Sequence, residues 1–136
     1  MLQILFYFLV SIQGSAADAV FRFHLVNEPH NLDPQTAAAA SGNYIFHNIY
    51  RGLYRYSSKD GLKREGAKEC KRSKLKLRCT LKELKWSNGQ AITSENYIQS
   101  FRRLIDPNFK SPQADVLFPL KNAREIWQGK LTPDQL

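Results

Sequence analysis

The chain has 136 residues, which is enough for one modest domain built around one hydrophobic core. Hydrophobic residues make up 43% of the sequence and aromatic residues 12%, so the composition excludes a wholly disordered chain. The formal net charge of +8 favours anionic partners, but it does not choose among nucleic acid, a membrane surface and an acidic ligand.

The N-terminus carries an uninterrupted apolar run over residues 2–12, followed by several small residues. This run is shorter than the roughly 20 residues that a helix needs to cross a bilayer. The pattern predicts a secretory signal peptide over residues 1–17, cleaved after Ala17 or Ala19, and a mature chain exported to the periplasm. No Lys or Arg precedes the run, so a buried first strand or helix of a cytoplasmic protein is the alternative.

The next two elements are predicted from the spacing of their apolar residues. Residues 20–26 alternate apolar and polar side chains, which predicts a strand that ends at the turn-rich segment 27–34. In residues 43–54 the apolar side chains recur every three or four positions, which predicts a helix capped by Ser41 or Asn43.

Half of the cations fall in one stretch, residues 63–85. They are Lys63, Arg64, Lys68, Lys71, Arg72, Lys74, Lys76, Arg78, Lys82 and Lys85. Leucine and cysteine alternate with polar residues at positions 75–81, which predicts a half-buried strand of a β-hairpin whose turn lies near Ser73 and Lys74. The alternative is a patch that tracks phosphates, but such patches usually interleave aromatic residues and this stretch has none. We therefore expect a hairpin with a basic outer face and no nucleic-acid partner.

Cys70 and Cys79 flank the predicted hairpin turn. If the loop has two or four residues, the two cysteines face each other across the strands. A disulfide there would close a ten-residue loop and contribute about 2.5–3 kcal/mol to stability. Because cross-strand disulfide geometry is demanding, two free buried thiols are the alternative.

Two further helices are predicted in the C-terminal half. Asn88-Gly89 predicts a tight turn, and Thr93 is predicted to cap a helix that ends at Asp106-Pro107. The expected buried face of this helix comprises Tyr97, Ile98, Phe101, Leu104 and Ile105. A third helix is predicted over residues 120–128, ended by Gly129. Its expected inward-facing residues are Leu120, Ala123 and Trp127.

The sequence contains no catalytic or metal-binding motif. It has no nucleophile elbow, no phosphate-binding glycine loop and no HExxH pair. His24, His30 and His47 lack the spacing of metal ligands, and the two cysteines have no histidine near them in sequence. We therefore predict a protein that is not an enzyme and that uses no metal or other cofactor.

Five segments carry recognisable motifs in a fixed order. Residues 28–34 read EPHNLDP, residues 49–56 read IYRGLYRY, residues 84–96 read LKWSNGQAITSEN, residues 100–107 read SFRRLIDP and residues 131–136 read LTPDQL. Together they resemble the family 5 extracellular solute-binding proteins, which include oligopeptide-, dipeptide- and nickel-binding proteins. Asn88 and Asn96 stand where that family has carboxylates, and Ala91 stands where it has a turn proline.

This resemblance implies an α/β fold in which residues 18–136 form the N-terminal part of the first lobe of a class II periplasmic binding protein, truncated. Members of the family are several times longer and enclose their ligand between two lobes that close about a hinge. The implied function is reversible capture of a peptide or similar solute by a monomer that delivers it to the permease subunits of an ABC transporter. The chain alone is expected to bind weakly or not at all, because one wall cannot bury a ligand.

The resemblance also implies particular residue roles. The chain after the first strand approaches the cleft in family members, so Asn27, Glu28 and His30 are the expected ligand contacts. The alternative for them is a turn that merely fixes the exit of the strand. Trp86 is expected to anchor the core and Thr93 to cap a helix. The rival function is a small exported basic protein that binds an anionic polymer or a membrane surface through residues 63–85.

Overall fold

The computed structural model describes residues 20, 22–25, 27–36 and 40–136. Within them the order of elements is α1 Ala40–Ile49, β1 Tyr54–Ser57, β2 Gly61–Arg64, β3 Ala67–Ser73, β4 Lys76–Leu81, α2 Ser94–Ile105 and α3 Ala123–Trp127. Short 3-10 turns cover Ala114–Leu117 and Pro133–Gln135. The predicted signal peptide, residues 1–17, lies outside the described residues. None of the helices described is long and apolar enough to cross a bilayer.

The strand predicted over residues 20–26 is not formed in its described part. Val20 and residues 22–25 have no regular secondary structure, and Phe21 and Val26 lie outside the described residues. A strand is held by hydrogen bonds to a neighbouring strand, and the two sheets described offer this segment no partner. The prediction was wrong here because alternation shows which face could be buried, not whether a partner strand is present.

Helix α1 begins and ends earlier than predicted. It spans Ala40–Ile49, so Ser41 and Asn43 lie within the helix and do not cap it. The backbone N–H of Tyr50 still donates to the carbonyl of Phe46 at 2.9 Å, and the chain then leaves the helix. Gly52 lies outside the helix, in the connection to β1.

Two antiparallel hairpins form the middle of the chain. Strand β1 pairs with β2, and Gly61, which follows the connecting turn, has a positive φ of 69°. Strand β3 pairs with β4, which places Cys70 directly opposite Cys79, and their sulfurs form a disulfide. The β3–β4 turn lies at residues 74–75, where Lys74 has the positive φ that a two-residue hairpin turn requires.

The tip of the β3–β4 hairpin departs from the expected half-buried pattern. Cys79 and Leu81 are partly buried, as the alternation predicted. Leu75 and Leu77 are exposed, at 101% and 64%. The prediction failed at the tip because nothing in the described structure covers these two leucines.

Helix α2 begins where it was predicted, after Thr93. The backbone N–H of Thr93 donates to the Asn96 side-chain oxygen at 2.8 Å, so Asn96 takes the acceptor role of a capping-box carboxylate. The helix ends at Ile105, before Asp106-Pro107. Leu104 and Ile105 are buried as predicted, whereas Ile98 is 37% exposed.

The most tightly packed core joins α2 to the C-terminal segment. Ile105, Ala123 and Ile126 are fully buried, and Leu117, Leu131 and Leu136 pack against them. Helix α3 covers only Ala123–Trp127, so its inward positions are Ala123 and Ile126. Leu120 and Trp127 were predicted to face inward, and both are 43% exposed. Leu120 precedes the helix, because the helix starts later than predicted. Trp127 is its last residue.

Candidate functional site

A cavity of about 1070 Å³ opens on one side of α2. Four segments surround it: the turn at residues 32–35, the chain at residues 49–53, the turn at residues 85–87 and the face of α2 from Asn96 to Arg103. The apolar part of its lining includes Ile49, Tyr50, Leu53, Trp86, Tyr97 and Phe101. An apolar cavity of this size, with a few polar groups at its edge, has the general character of a ligand or packing site.

Trp86 belongs to the lining of this cavity and is 43% exposed. The expectation that it anchors a closed core was therefore wrong for the described structure. The turn that carries it is well formed: the Trp86 N–H donates to the Gln90 carbonyl at 2.8 Å, and the Gly89 N–H donates to the Trp86 carbonyl at 2.9 Å. The local turn is thus determined by its own sequence, whereas burial of the indole requires polypeptide that would cover it.

The polar edge of the cavity is an ion pair between Arg103 and Asp33. The two guanidinium Nη atoms donate to the two carboxylate oxygens of Asp33, at 3.1 and 2.5 Å. This is the two-pronged geometry that makes arginine–carboxylate pairs strong and directional. The guanidinium carbon also lies 3.9 Å from the centre of the Phe109 ring, which supports it from the other side.

Gln35 adds a second set of links between the turn and α2. Its side-chain oxygen accepts from Arg103 at 3.0 Å, and its side-chain nitrogen donates to the Ser100 carbonyl at 2.8 Å and to the Ser100 hydroxyl at 2.9 Å. The Ser111 hydroxyl, which is buried, donates to the Gln35 carbonyl at 2.6 Å. Asp33 and Gln35 are therefore held by Ser100 and Arg103 of α2 and by Ser111 of the segment that follows it. We call this set, Asp33, Gln35, Ser100, Arg103 and Ser111, the turn clasp.

The clasp determines the ionisation of its carboxylate. Hydrogen bonding from Arg103 lowers the pKa of Asp33 below its ordinary value of 3.8, and the backbone N–H of Gln35 adds to the effect. The same pairing raises the pKa of Arg103. Both shifts favour the charged forms, so the two groups are charged at neutral pH.

Tyr97 closes the end of the cavity that faces the hairpins. Burial raises the pKa of its hydroxyl, so it is neutral at physiological pH. A Cβ atom added to Gly66 would overlap this hydroxyl and would lie 3.0 Å from the Gly52 carbonyl oxygen. The Gly66 N–H donates to that carbonyl at 2.9 Å, and its own carbonyl accepts from the Lys82 N–H at 2.9 Å. Because Gly66 has no side chain, the two hairpins and α2 can pack closely against one another at this position.

The residues predicted to contact the ligand do not line this cavity, although they precede one of its lining segments in sequence. Asn27, Glu28 and His30 are all exposed. They directly precede residues 31–36, which the clasp holds in place. In the described residues, no group of three His, Cys, Asp or Glu side chains is arranged to hold a metal ion.

Sequence reasoning did not identify the clasp as a unit. Asp33 and Arg103 both belong to segments that were singled out for their resemblance, but they are 70 residues apart. No local spacing relates residues at that distance. The only available signal was the joint presence of the two motifs.

The chain is similar in sequence to several solute-binding proteins. It is 32% identical over 117 residues to the periplasmic murein peptide-binding protein MppA of Escherichia coli, and the match covers 83% of this chain and 22% of the relative. It is 36% identical over 118 residues to the dipeptide-binding protein of Lactococcus lactis, with 85% of this chain and 22% of that protein covered. No family model matches the chain.

Solved structures show the same likeness in three dimensions. The unliganded open form of MppA superimposes with a TM-score of 0.75 at 32% identity, over 81% of this chain and 22% of that one. The oligopeptide-binding protein OppA of Listeria monocytogenes, bound to peptide, gives a TM-score of 0.73 at 31% identity, over 77% of this chain and 21% of that one. The chain therefore spans about a fifth of the length of these relatives.

These likenesses establish the class of protein. The mixed helices and strands described here are part of the fold of class II periplasmic binding proteins. The chain belongs, more particularly, to the family 5 extracellular solute-binding proteins, as its motifs predicted. Its relatives are binding proteins of transport systems and not enzymes, which agrees with the absence of a catalytic motif from the sequence.

Proposed function

We propose that the chain forms part of the first lobe of a periplasmic protein that captures peptides for an ABC importer. The observation that carries the proposal is the agreement of sequence and fold with MppA, at 32% identity and a TM-score of 0.75. On this proposal residues 1–17 direct export and residues 18–136 begin the binding lobe. The protein acts as a monomer in the periplasm and delivers its peptide to permease subunits.

The clasp supports a role for the neighbouring polar residues. Asp33 and Gln35 are fixed to α2. The segment that precedes their turn is therefore anchored at its C-terminal end. Asn27, Glu28 and His30 lie in that incoming chain and are exposed. A carboxylate can pair with a peptide ammonium group, and an amide and an imidazole can hydrogen-bond to a peptide backbone. We propose these three residues as ligand contacts.

The exposed apolar surface supports the idea that capture needs a second wall. Tyr44, Ile49 and Tyr50 of the α1 region are 64%, 58% and 44% exposed, and the cavity beside them is open. High affinity for a small ligand requires that most of its surface be buried. The residues that the structure describes offer one surface and no enclosure, so we propose that tight capture depends on further polypeptide of the kind the relatives contain.

A hybrid protein tests the proposed function. Residues 20–136 replace the matching segment of E. coli MppA, and peptide binding is measured by isothermal titration calorimetry with a murein tripeptide. The expected result is saturable binding by the hybrid. A hybrid that folds cooperatively but binds no peptide would contradict the proposal.

The same hybrid tests the three contact residues. Simultaneous replacement of Asn27, Glu28 and His30 by alanine is expected to weaken peptide binding at least tenfold, since each lost polar contact removes about 0.5–1.5 kcal/mol. The control replaces three other exposed polar residues, Lys59, Lys121 and Gln128, and is expected to bind normally. Equal affinity of both variants would show that residues 27–30 only form a turn.

A further inference from the structure

The β3–β4 hairpin has one strongly cationic face. Its register places Lys71 directly opposite Arg78, and Ser73 directly opposite Lys76. Side chains that oppose each other across an antiparallel pair lie on the same face. Lys71, Lys76 and Arg78 therefore share this face, and all three are exposed. The one carboxylate within residues 67–81 is Glu69, which pairs with Lys71 at 3.4 Å.

This arrangement opposes the stability of the hairpin. Like charges directly opposite one another in a two-stranded ladder are destabilising. The other face compensates, because the Cys70–Cys79 disulfide joins the same two strands one residue away from the Lys71–Arg78 pair. Glu69 offsets one of these three charges, so the face retains a net positive charge.

The tip of the hairpin adds apolar surface to this charge. Leu75 lies in the turn and is fully exposed, whereas Leu77 is opposite Arg72 on the disulfide face and does not belong to this surface. Lys74 and Lys76 flank Leu75 on both sides and are exposed as well. A leucine bordered by lysines suits the interface of a lipid bilayer, where the apolar group can lie among acyl chains and the cations at lipid phosphates.

We propose that the β3–β4 hairpin docks on an anionic phospholipid bilayer, through Lys71, Lys76 and Arg78 and through Leu75 at its tip. Charge complementarity supports this occupant. A second copy of the chain would bring the same positive face against itself, which like charges oppose. Single-stranded nucleic acid is bound through aromatic stacking as well as charge, and residues 67–81 contain no aromatic side chain. This surface is separate from the proposed peptide contacts and does not depend on the proposed function.

Vesicle sedimentation with the 136-residue chain tests the proposal. Vesicles of phosphatidylcholine alone are compared with vesicles made of equal amounts of phosphatidylcholine and phosphatidylglycerol. The K71Q/K76Q/R78Q variant is compared with K59Q/K121Q/K130Q, which removes the same net charge from exposed positions elsewhere. Each cation near an anionic surface contributes about a fivefold gain in affinity, so the hairpin variant is expected to lose on the order of a hundredfold and the control much less.

Two further variants separate the parts of the surface. K71R/K76R/R78K keeps every charge and is expected to bind like the original chain, which would show that these positions tolerate substitution when the charge is retained. L75S keeps all charges and removes the exposed leucine, and it is expected to weaken binding to phosphatidylglycerol vesicles several-fold. Circular dichroism and an intact disulfide in each variant establish that the hairpin is formed.

Three outcomes would overturn the proposal. Equal losses in the hairpin variant and its matched control would show that net charge alone governs binding. Equal binding to both kinds of vesicle would show that the cations of the hairpin are not involved. Tighter binding to a single-stranded oligonucleotide than to the vesicles, lost on K71Q/K76Q/R78Q, would assign the surface to nucleic acid. Peptide capture by the hybrid protein is measured without lipid, so its failure is distinguishable from failure here.

Discussion

Arg103 and Asp33 lie 70 residues apart in sequence and are joined by two hydrogen bonds, one from each guanidinium Nη atom to one carboxylate oxygen. Through this pair, helix α2 determines where the turn at residues 31–36 lies. The pair also lies at the polar edge of the cavity. Perturbing it is therefore expected to affect both the stability of the chain and the position of residues 27–30.

Replacing Arg103 by lysine tests the geometry of the clasp. Lysine keeps the positive charge but cannot donate two parallel hydrogen bonds to one carboxylate or hydrogen-bond Gln35 at the same time. We expect R103K to lower the free energy of unfolding by about 1 kcal/mol, since the pair is partly exposed to solvent. R103Q is expected to lower the free energy of unfolding by more than R103K does. Urea denaturation measures both, and an R103K variant as stable as the original chain would show that the two-pronged geometry contributes nothing.

The lowered pKa of Asp33 predicts how stability depends on pH. A carboxyl whose pKa is lower in the folded state stabilises the fold fully at pH values above its unfolded value, near 3.8, and loses that contribution as the pH falls through the folded value. The D33N variant lacks this contribution at every pH. The difference in unfolding free energy between the original chain and D33N is therefore expected to be largest near neutral pH and to shrink below a pH of about 4. A difference that is constant from neutral to acidic pH would contradict an ionised clasp.

Gly66 and Tyr97 provide a test of the junction between the hairpins and α2. The G66A variant places a methyl group against the Tyr97 hydroxyl and the Gly52 carbonyl, and overpacking of this kind costs about 1–3 kcal/mol. The Y97F variant removes the hydroxyl, so the G66A/Y97F double variant is expected to recover part of the loss. Thermal denaturation of the four proteins forms a double-mutant cycle. Strictly additive changes in the free energy of unfolding would show that Gly66 and Tyr97 are not in contact.

The Cys70–Cys79 disulfide is expected to stabilise the hairpin by about 2.5–3 kcal/mol, because it restricts a ten-residue loop in the unfolded chain. Urea denaturation with and without a reductant measures this difference. The C70A/C79A variant is the control and is expected to be insensitive to the reductant. Equal stability of the original chain under both conditions would mean that the bridge contributes nothing in solution.

The parts of the fold that sequence predicted are those governed by neighbouring residues. Thr93 and Asn96 form a local cap, Asp106-Pro107 ends α2, and Gly129 follows α3 with a positive φ of 72°. Each of these features depends on backbone chemistry within a few positions, so a single sequence contains the information. The facing of Cys70 and Cys79 was likewise predicted for a loop of two or four residues, and the turn at residues 74–75 meets that condition.

The features that sequence could not supply depend on distant or additional polypeptide. Alternation indicated a strand at residues 20–26, but its formation requires a partner strand. Trp86 has the character of a core residue, yet its burial depends on what covers the cavity. The Asp33–Arg103 pair joins two motifs that were identified separately, and only the folded chain shows that they meet.

Peptide titration of the isolated 136-residue chain tests the central claim most directly, namely that these residues supply one surface of a binding site that needs a second. Isothermal titration calorimetry with the tripeptide used for the hybrid protein is the measurement. No saturable binding to the isolated chain is expected under conditions in which the hybrid binds. Tight, stoichiometric binding by the isolated chain, in a monomeric and cooperatively unfolding form, would contradict it.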